Sequence, residues 1–173
     1  LRKYPNLVKD IVVKRPDEVW VSDITYLKTD EGNCYLNMVT DAYSRKIMGY
    51  AIADNMEAAQ MKQAFQMAVK NRKNKQYSLI HHSDRGLQYC SAEYVSIADQ
   101  HQIKMSMTEK GDPYENALAE RMNRTLKEEF GLGATLKSKL HAKLLTEEAI
   151  DLYNNRRPHL SLKMKTPQSV YKQ

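Results

Sequence analysis

The sequence predicts an α/β fold in which a mixed five-stranded sheet is flanked by helices. Three stretches with apolar residues at period two follow one another across short loops, which predicts an antiparallel meander. Helical and strand patterns then alternate along the chain, as in sheets covered by helices. With 173 residues, 42% of them hydrophobic, the chain can bury one sizeable core. We expect one domain over 1–173, with a core at about 16–131 and a C-terminal helical extension at about 132–173.

The predicted meander begins with a strand at 18–27, where Val, Trp, Ile, Thr and Tyr recur at period two. This alternation puts Val21 and Asp23 on one side of the strand and Trp20 on the other. Two further strands follow it, at 35–41 and 46–53. Because the loops between these strands are short, we expect each strand to pair with its neighbour in antiparallel fashion.

The rest of the chain alternates between helical and strand patterns. The predicted elements are a helix at 57–72, a strand at 77–82, a helix at 92–100, a strand at 103–107, and helices at 113–130 and 141–155. Ser91 is a plausible cap for the second helix. Asp112, Pro113 and Glu115 form a capping-box signature at the start of the third. Pattern alone leaves the strand order in the sheet open.

The composition favours a partner that carries phosphates. Lys and Arg outnumber Asp and Glu by 27 to 21, giving a net charge of +6 and a pI of about 9.2; ordinary solvated charge is the alternative. Cys34 and Cys90 lack the spacing of zinc ligands or of a disulfide scaffold. Without a long apolar run or a signal-peptide pattern, we expect a cytoplasmic protein that makes no membrane contact. The first residue is Leu1, so we expect a fragment of a longer protein.

Three acidic residues, Asp23, Asp84 and Glu120, carry the functional prediction. The first two are separated by 60 residues and the last two by 35. Carboxylates from separate elements can hold two divalent cations roughly 3.5–4 Å apart for phosphoryl transfer. Simpler interpretations exist for each acid: a salt bridge for Asp23, a turn with positive φ at Gly86 for Asp84, and a surface pair with Arg124 for Glu120.

Longer motifs surround these acids. They are Trp20-Val21-Ser22-Asp23-Ile24-Thr25-Tyr26-Leu27, His82-Ser83-Asp84-Arg85-Gly86-x-Gln88-Tyr89, Gly111-x-Pro113-Tyr114-x-Asn116-Ala117-x-Ala119-Glu120, and Tyr153-Asn154-x-x-Arg157-Pro158-His159. Together they resemble the integrase-type catalytic core of bacterial insertion-sequence transposases, which are Asp-Asp-Glu recombinases related to retroviral integrases. The resemblance covers nearly the whole chain. Two positions depart from the commonest form: Glu115 stands where Asp is usual, and Arg121 where Ser is usual.

The resemblance implies a ribonuclease H-like sheet and metal-dependent cleavage and transfer of DNA strands. Asp23, Asp84 and Glu120 would be both the catalytic residues and the metal ligands, with Mg²⁺ as cofactor and Mn²⁺ as a substitute. The partner would be double-stranded DNA at the element ends and the target, bound by a homo-oligomer in the bacterial nucleoid. Sequence-specific recognition would belong to an N-terminal DNA-binding region absent from this chain.

Candidate DNA contacts lie on the third helix and after the last one. They are Asn116, Arg124, Lys127, Arg157 and His159. The resemblance places the positions of Asn116 and Lys127 near the active site and the DNA, and Arg124 shares their side of the helix. Arg157 and His159 follow the last helix, whose end carries Tyr153 and Asn154. Basic residues at a helix end also suit the helix dipole, so a DNA-binding or an architectural role is open.

Three rival interpretations can be distinguished by sequence. A ribonuclease H-type nuclease that only hydrolyses would need a fourth acid, for which the first helix offers only Glu57. A non-catalytic DNA-binding remnant of a transposase would be supported by loss of one of the three acids, and none is lost. A histidine metal site is disfavoured, because His81 and His82 point to opposite faces of a strand; we interpret them as packing or substrate contacts.

Overall fold

The structure, a computed structural model, describes residues 3–109 and 113–173, with side chains from residue 117 onward in the second stretch. The described strands and helices are β1 (Val19–Thr29), β2 (Gly32–Asp41), β3 (Ile47–Ala53), α1 (Ala58–Asn71), β4 (Ile80–Ser83), α2 (Ala92–Gln100), β5 (Lys104–Met107), α3 (Pro113–Glu129), α4 (Lys139–Arg156) and α5 (Pro167–Tyr171). Short 3₁₀ helices lie at Leu87–Cys90 and Leu160–Leu162. Among the described helices, none has the length and apolar character needed to cross a membrane.

The five strands form one mixed sheet in the order β3-β2-β1-β4-β5. β1, β2 and β3 form the predicted antiparallel meander, while β4 and β5 extend the sheet in parallel with β1. The predicted class, a mixed five-stranded sheet flanked by helices, is confirmed. β1 is the central strand, and Asp23 lies opposite Met38 of β2 within it.

Helices cover both faces of the sheet, so the alternation of β1 buries side chains on two sides. The Trp20 side packs against α1 and α2 in a cluster that includes Tyr94. The Leu27 side packs against α3 and α4 in a cluster that includes Tyr153. The two cysteines are free thiols, one buried in each cluster. Residues of the C-terminal extension therefore complete the core on one face of the sheet.

The fourth strand is shorter than the sequence pattern predicts. It begins at Ile80 instead of residue 77. The residues before it contact Arg15: the guanidinium lies 4.5 Å from the ring centre of Tyr77, and its Nη2 donates to the carbonyl of Ser78 at 2.7 Å. These contacts hold the segment outside the hydrogen-bond ladder, although its residue types suit a strand.

Helix caps explain where two helices begin. The Ser91 side chain accepts a hydrogen bond from the first turn of α2, as predicted. Ser138 does the same for α4, which therefore begins two residues earlier than the apolar pattern indicates. The predicted capping box of α3 falls outside the described residues and side chains, since it involves Asp112 and Glu115.

The last helix, α5, was not predicted. Thr166 caps it by accepting from the backbone of Ser169 at 3.2 Å, and Pro167 occupies its first turn. The hydroxyl of Tyr171 donates to the buried carboxylate of Asp17 at 2.6 Å, which ties the C-terminus to the start of β1. Five residues are too few to show an amphipathic period, so this helix depends on tertiary contacts.

Candidate active site

Asp23 lies on the β1 face that α3 covers. Ala119, Met122 and Leu126 form the buried stripe of α3, and this packing turns Asn123 towards the strand. The Nδ2 of Asn123 donates to Oδ2 of Asp23 at 2.8 Å. The proposed salt-bridge alternative for Asp23 is not observed, because an amide, not a cation, contacts it in the described part of the chain.

Asp84 directly follows β4, and its side chain is exposed. Its Oδ1 accepts a hydrogen bond from the backbone N–H of Gly86 at 2.8 Å. The φ of Gly86 is −60°, so the alternative of a turn with positive φ at this glycine is wrong. A Cβ on Gly86 would lie 3.0 Å from Oδ1 of Asp84 and 2.7 Å from Nε2 of Gln88. The glycine therefore leaves room for the side chains on either side of it.

The same motif is anchored in the core by Tyr89. This residue is fully buried, and its hydroxyl lies 3.2 Å from the Ser22 hydroxyl, which donates to it. Ser22 precedes Asp23 in β1 and faces the opposite side of the sheet. The hydrogen bond therefore fixes the loop that carries Asp84 relative to the strand that carries Asp23.

Glu120 is exposed on α3, three residues before Asn123. Burial raises the pKa of Asp23, and the charges of Asp84 and Glu120 raise it further, against the lowering effect of the hydrogen bond from Asn123. Like charges act on one another in this way only when they are near in space. The fold therefore brings Asp84 and Glu120 each within electrostatic reach of Asp23.

A divalent cation suits the chemistry of these three carboxylates, because Mg²⁺ prefers oxygen ligands and would offset their mutual repulsion. In the residues that the structure describes, however, no group of three His, Cys, Asp or Glu side chains is arranged to hold a metal ion. Asp23 is hydrogen-bonded to Asn123, and Asp84 to the backbone of Gly86. The assignment of Asp23, Asp84 and Glu120 as metal ligands stays a prediction.

His81 and His82 are packing residues. His81 is fully buried, its Nε2 lies 2.8 Å from the hydroxyl of Tyr94, and burial lowers its pKa to about 3. His82 points to the other face of β4, where its Nδ1 lies 2.7 Å from the hydroxyl of Ser106. The opposite orientations agree with the expectation from strand geometry.

The predicted DNA contacts on α3 differ in their surroundings. The Nζ of Lys127 lies 5.1 Å from the ring centre of Tyr26, a cation–π contact on the strand that carries Asp23. Arg124 is exposed, and the ion pairs of the described residues do not include one between it and Glu120. The side chain of Asn116 lies outside the described part. DNA contact by these residues stays a prediction.

The motif at the end of α4 and directly after it is built into the fold. Asn154 accepts from the backbone N–H of Ile47 at 2.9 Å and donates to its carbonyl at 3.0 Å, which holds the start of β3. Arg157 forms a bidentate pair with Glu129, with N···O distances of 2.6 and 2.7 Å. His159 packs edge-on against Tyr153, with ring centres 5.1 Å apart. These contacts support the architectural alternative, while DNA binding by Arg157 and His159 stays a prediction.

Sequence reasoning missed Asn123 as a site residue. Its position three residues after Glu120 put it on the correct side of the helix, but nothing in its residue type marked it as a partner of Asp23. The Oδ1 of Asn123 is buried and has no hydrogen-bond partner among the described residues. Asn123 thus presents an acceptor next to the acidic group.

A central β1 with an acid, a second acid directly after the parallel β4, and a third on a helix packed over β1 define a ribonuclease H-like α/β domain. A family model described as "Integrase core domain" matches residues 13–113, and a second model of the same description matches residues 101–167. The chain belongs to the integrase core domain family, which confirms the resemblance inferred from the motifs.

Similar curated proteins are transposases of bacterial insertion sequences. The transposase for insertion sequence element IS904 of Lactococcus lactis subsp. lactis (strain IL1403) is 35% identical over 170 residues, which cover 97% of this chain and 67% of that protein. The transposase InsF for insertion sequence IS3fB of Escherichia coli (strain K12) is 42% identical over 123 residues, covering 71% of this chain and 42% of that protein. The chain thus spans about two thirds of the first relative, and its match covers less than half of the second.

Solved structures of retroviral integrases share the fold. The HTLV-2 integrase catalytic core domain in complex with magnesium, in its dimeric form, superposes with a TM-score of 0.71 at 18% identity, covering 92% of this chain and 99% of that one. A simian T-cell lymphotropic virus intasome in complex with a PP2A regulatory subunit gives a TM-score of 0.75 at 18% identity, covering 100% of this chain and 60% of that one. At such low identity, these superpositions establish a common architecture and nothing beyond it.

Proposed function

We propose that this chain is the catalytic domain of an insertion-sequence transposase that cleaves DNA strands and transfers them to a target. The observation that carries the proposal is the placement of the three acids: Asp23 in β1, Asp84 directly after the neighbouring parallel strand β4, and Glu120 on α3, which contacts β1. The transposases among its relatives support the same activity. We further propose that it acts on double-stranded DNA as a homo-oligomer in the bacterial cytoplasm.

Each residue of the group has a distinct task in this proposal. Asn123 fixes the orientation of the Asp23 carboxylate through the hydrogen bond at 2.8 Å. Asp84, at an exposed loop end, would exchange the hydrogen bond from the N–H of Gly86 for coordination of the cation. Glu120 is exposed on a helix whose buried stripe fixes its backbone. Because the backbone of α3 is fixed, rotation of the Glu120 side chain would bring the third carboxylate towards Asp23 and Asp84 when DNA is present.

Asp23, Asp84 and Glu120 would together hold Mg²⁺ or Mn²⁺. Bound divalent cations supply the positive charge that activates the attacking hydroxyl and stabilises the leaving oxygen. The hydrogen bond from Asn123 orients the Asp23 carboxylate and favours its ionised form, but burial has the larger effect and raises the pKa, so Asp23 binds a proton more readily than an ordinary aspartate. Cation binding should therefore weaken as the pH falls through the pKa of Asp23.

The test is a strand cleavage and transfer assay with Mg²⁺, using the full-length protein and DNA that carries the ends of its insertion sequence. The variants Asp23→Asn, Asp84→Asn and Glu120→Gln keep side-chain volume and remove the charge. Each should lower both reactions by at least about a thousandfold, since losing a ligand removes charge stabilisation worth several kcal/mol. Glu128→Gln, an exposed acid of the same helix, is the matched control and should retain activity. Full activity of Asp84→Asn would contradict the proposal.

A further inference from the structure

A continuous groove runs along the flank of α3 that carries Leu118 and Arg121. It consists of two cavities, of about 340 and 410 Å³, that share Arg45, Leu118 and Arg121 in their walls. The wall of the first cavity includes five valines of the N-terminal segment and β1, and that of the second consists largely of residues of α3, α4 and the segment after α4. We call this feature the arginine groove, after Arg45 and Arg121 at its centre.

One end of the arginine groove lies near Asp23 on β1. Val21 lines it, and Val21 and Asp23 face the same side of β1. Leu118 and Arg121 line the groove from a flank of α3 that faces away from Glu120, since helix residues one or two positions apart do not share a side. A strand of DNA held at the acids can therefore continue into the groove by passing α3.

Positive charge is concentrated in this groove. Burial lowers the pKa of His159 to about 4, and the charges of Arg157, Arg45 and Arg121 lower it further, against the raising effect of Glu129. Three guanidinium groups thus act on one side chain. Arg157 is paired with Glu129, but the ion pairs among the described residues do not include Arg121, which is exposed. The groove carries excess positive charge for an anionic partner.

We propose that the arginine groove binds the DNA backbone next to the cleaved phosphodiester, with Arg121 and Arg45 contacting phosphates. Guanidinium groups bind phosphate oxygens in a bidentate manner, and the apolar walls suit sugar and base carbons. The identification of the ligand as DNA rests on the proposed function. Arg121 is also the position where Ser is usual in related motifs, so this chain has a contact there that many relatives lack.

The test measures binding of a fluorescein-labelled DNA duplex in EDTA over a series of salt concentrations. Arg121→Ser and Arg121→Glu are compared with Arg156→Ser and Arg156→Glu, because Arg156 is exposed at the end of α4 and does not line the groove. Each pair changes the net charge equally. Arg121→Ser should reduce the slope of log affinity against log salt by about 0.9, the value for one lost phosphate contact. Arg121→Glu should weaken binding about tenfold more than Arg156→Glu.

Equal effects at positions 121 and 156 would overturn the proposal. It would also be overturned if Arg121→Ser altered self-association in sedimentation experiments and left the DNA salt slope unchanged, since the groove would then be an interface between copies. Thr125→Glu, which places a carboxylate in the same groove, provides a second variant if Arg121→Ser unfolds. The binding experiment does not depend on cleavage, because EDTA removes the cation. If the groove binds DNA but the protein does not cleave DNA in Mg²⁺, the proposed function is contradicted and the groove proposal is not.

Discussion

Two groups of aspartates and glutamates in this domain have opposite environments. Asp17 and Asp41, at the start of β1 and the end of β2, are fully buried. The carboxylate of Asp17 accepts from Trp20 at 3.0 Å and Tyr171 at 2.6 Å, with further donors from the segment after α1. Asp41 accepts from the backbone of Asp17 and from both the backbone and hydroxyl of Ser44.

The second group, Asp23, Asp84 and Glu120, is supplied with far fewer donors by the described residues. Asn123 donates to Asp23, and the backbone of Gly86 donates to Asp84. A buried acid whose oxygens are occupied by protein donors stabilises the fold, whereas partly exposed acids that repel one another are suited to an external cation. The environment, not the residue type, separates the structural acids from those that we propose to be functional.

The largest expected effect that separates the groups is on stability. Asp17→Asn should lower the free energy of unfolding by roughly 3 kcal/mol or more. The substitution replaces one carboxylate oxygen by an NH₂ group, so buried donors that now bond to that oxygen would lose their acceptor. Glu120→Gln should change it by less than about 0.5 kcal/mol, since the side chain is exposed. Urea denaturation measures both, with the exposed Asp10→Asn as control. Equal destabilisation by Asp17→Asn and Glu120→Gln would remove the distinction.

Asn123 provides a smaller test within the second group. Asn123→Ala removes the donor that favours the ionised form of Asp23, so the pKa of Asp23 should rise and strand cleavage should fall about tenfold, the effect of one hydrogen bond to a charged group. If the role is to keep Asp23 ionised, the loss should shrink as the pH of the assay rises. A loss of the same size at every pH would indicate that Asn123 acts on packing alone.

The smallest effect concerns the pH dependence of Asp41. Burial raises its pKa from the usual 3.8 to about 6, so the folded protein binds this proton more tightly than the unfolded chain. The resulting stabilisation is complete below pH 3.8 and is lost as the pH rises through about 6. Relative to Asp41→Asn, the natural protein should gain roughly 1 kcal/mol in unfolding free energy between pH 7 and pH 5. A loss of unfolding free energy between pH 7 and pH 5 would show that the hydrogen bonds to Asp41 lower its pKa more than burial raises it.

The positions of the acids could be predicted because they depend on local signals. Period-two alternation placed Asp23 on a strand, and the end of an apolar run placed Asp84 just after β4. The helical stripe of Ala119, Met122 and Leu126 put Glu120 on the opposite side of α3. Motif resemblance then supplied the strand order that periodicity alone could not give.

What could not be predicted depends on contacts between distant parts of the chain. The hydrogen bond from Asn123 to Asp23 joins residues 100 apart, and its partner is fixed only when α3 docks on β1. The pairing of Arg157 with Glu129 and the clamp of Asn154 on β3 arise in the same way. A pattern of residue types identifies which side of an element is polar, but the docking of elements decides what a polar group contacts.

The central claim is that Asp23, Asp84 and Glu120 form one electrostatic site. It is tested most directly by carbon-13 NMR titration of the Asp23 carboxyl in the natural protein and in Asp84→Asn, Glu120→Gln and Glu128→Gln. We predict a pKa for Asp23 above the usual 3.8 in the natural protein, a lower value in Asp84→Asn and in Glu120→Gln, and no change in Glu128→Gln. Because burial is the largest cause, neither variant should return the pKa fully to 3.8. The same pKa in all four proteins would contradict the claim.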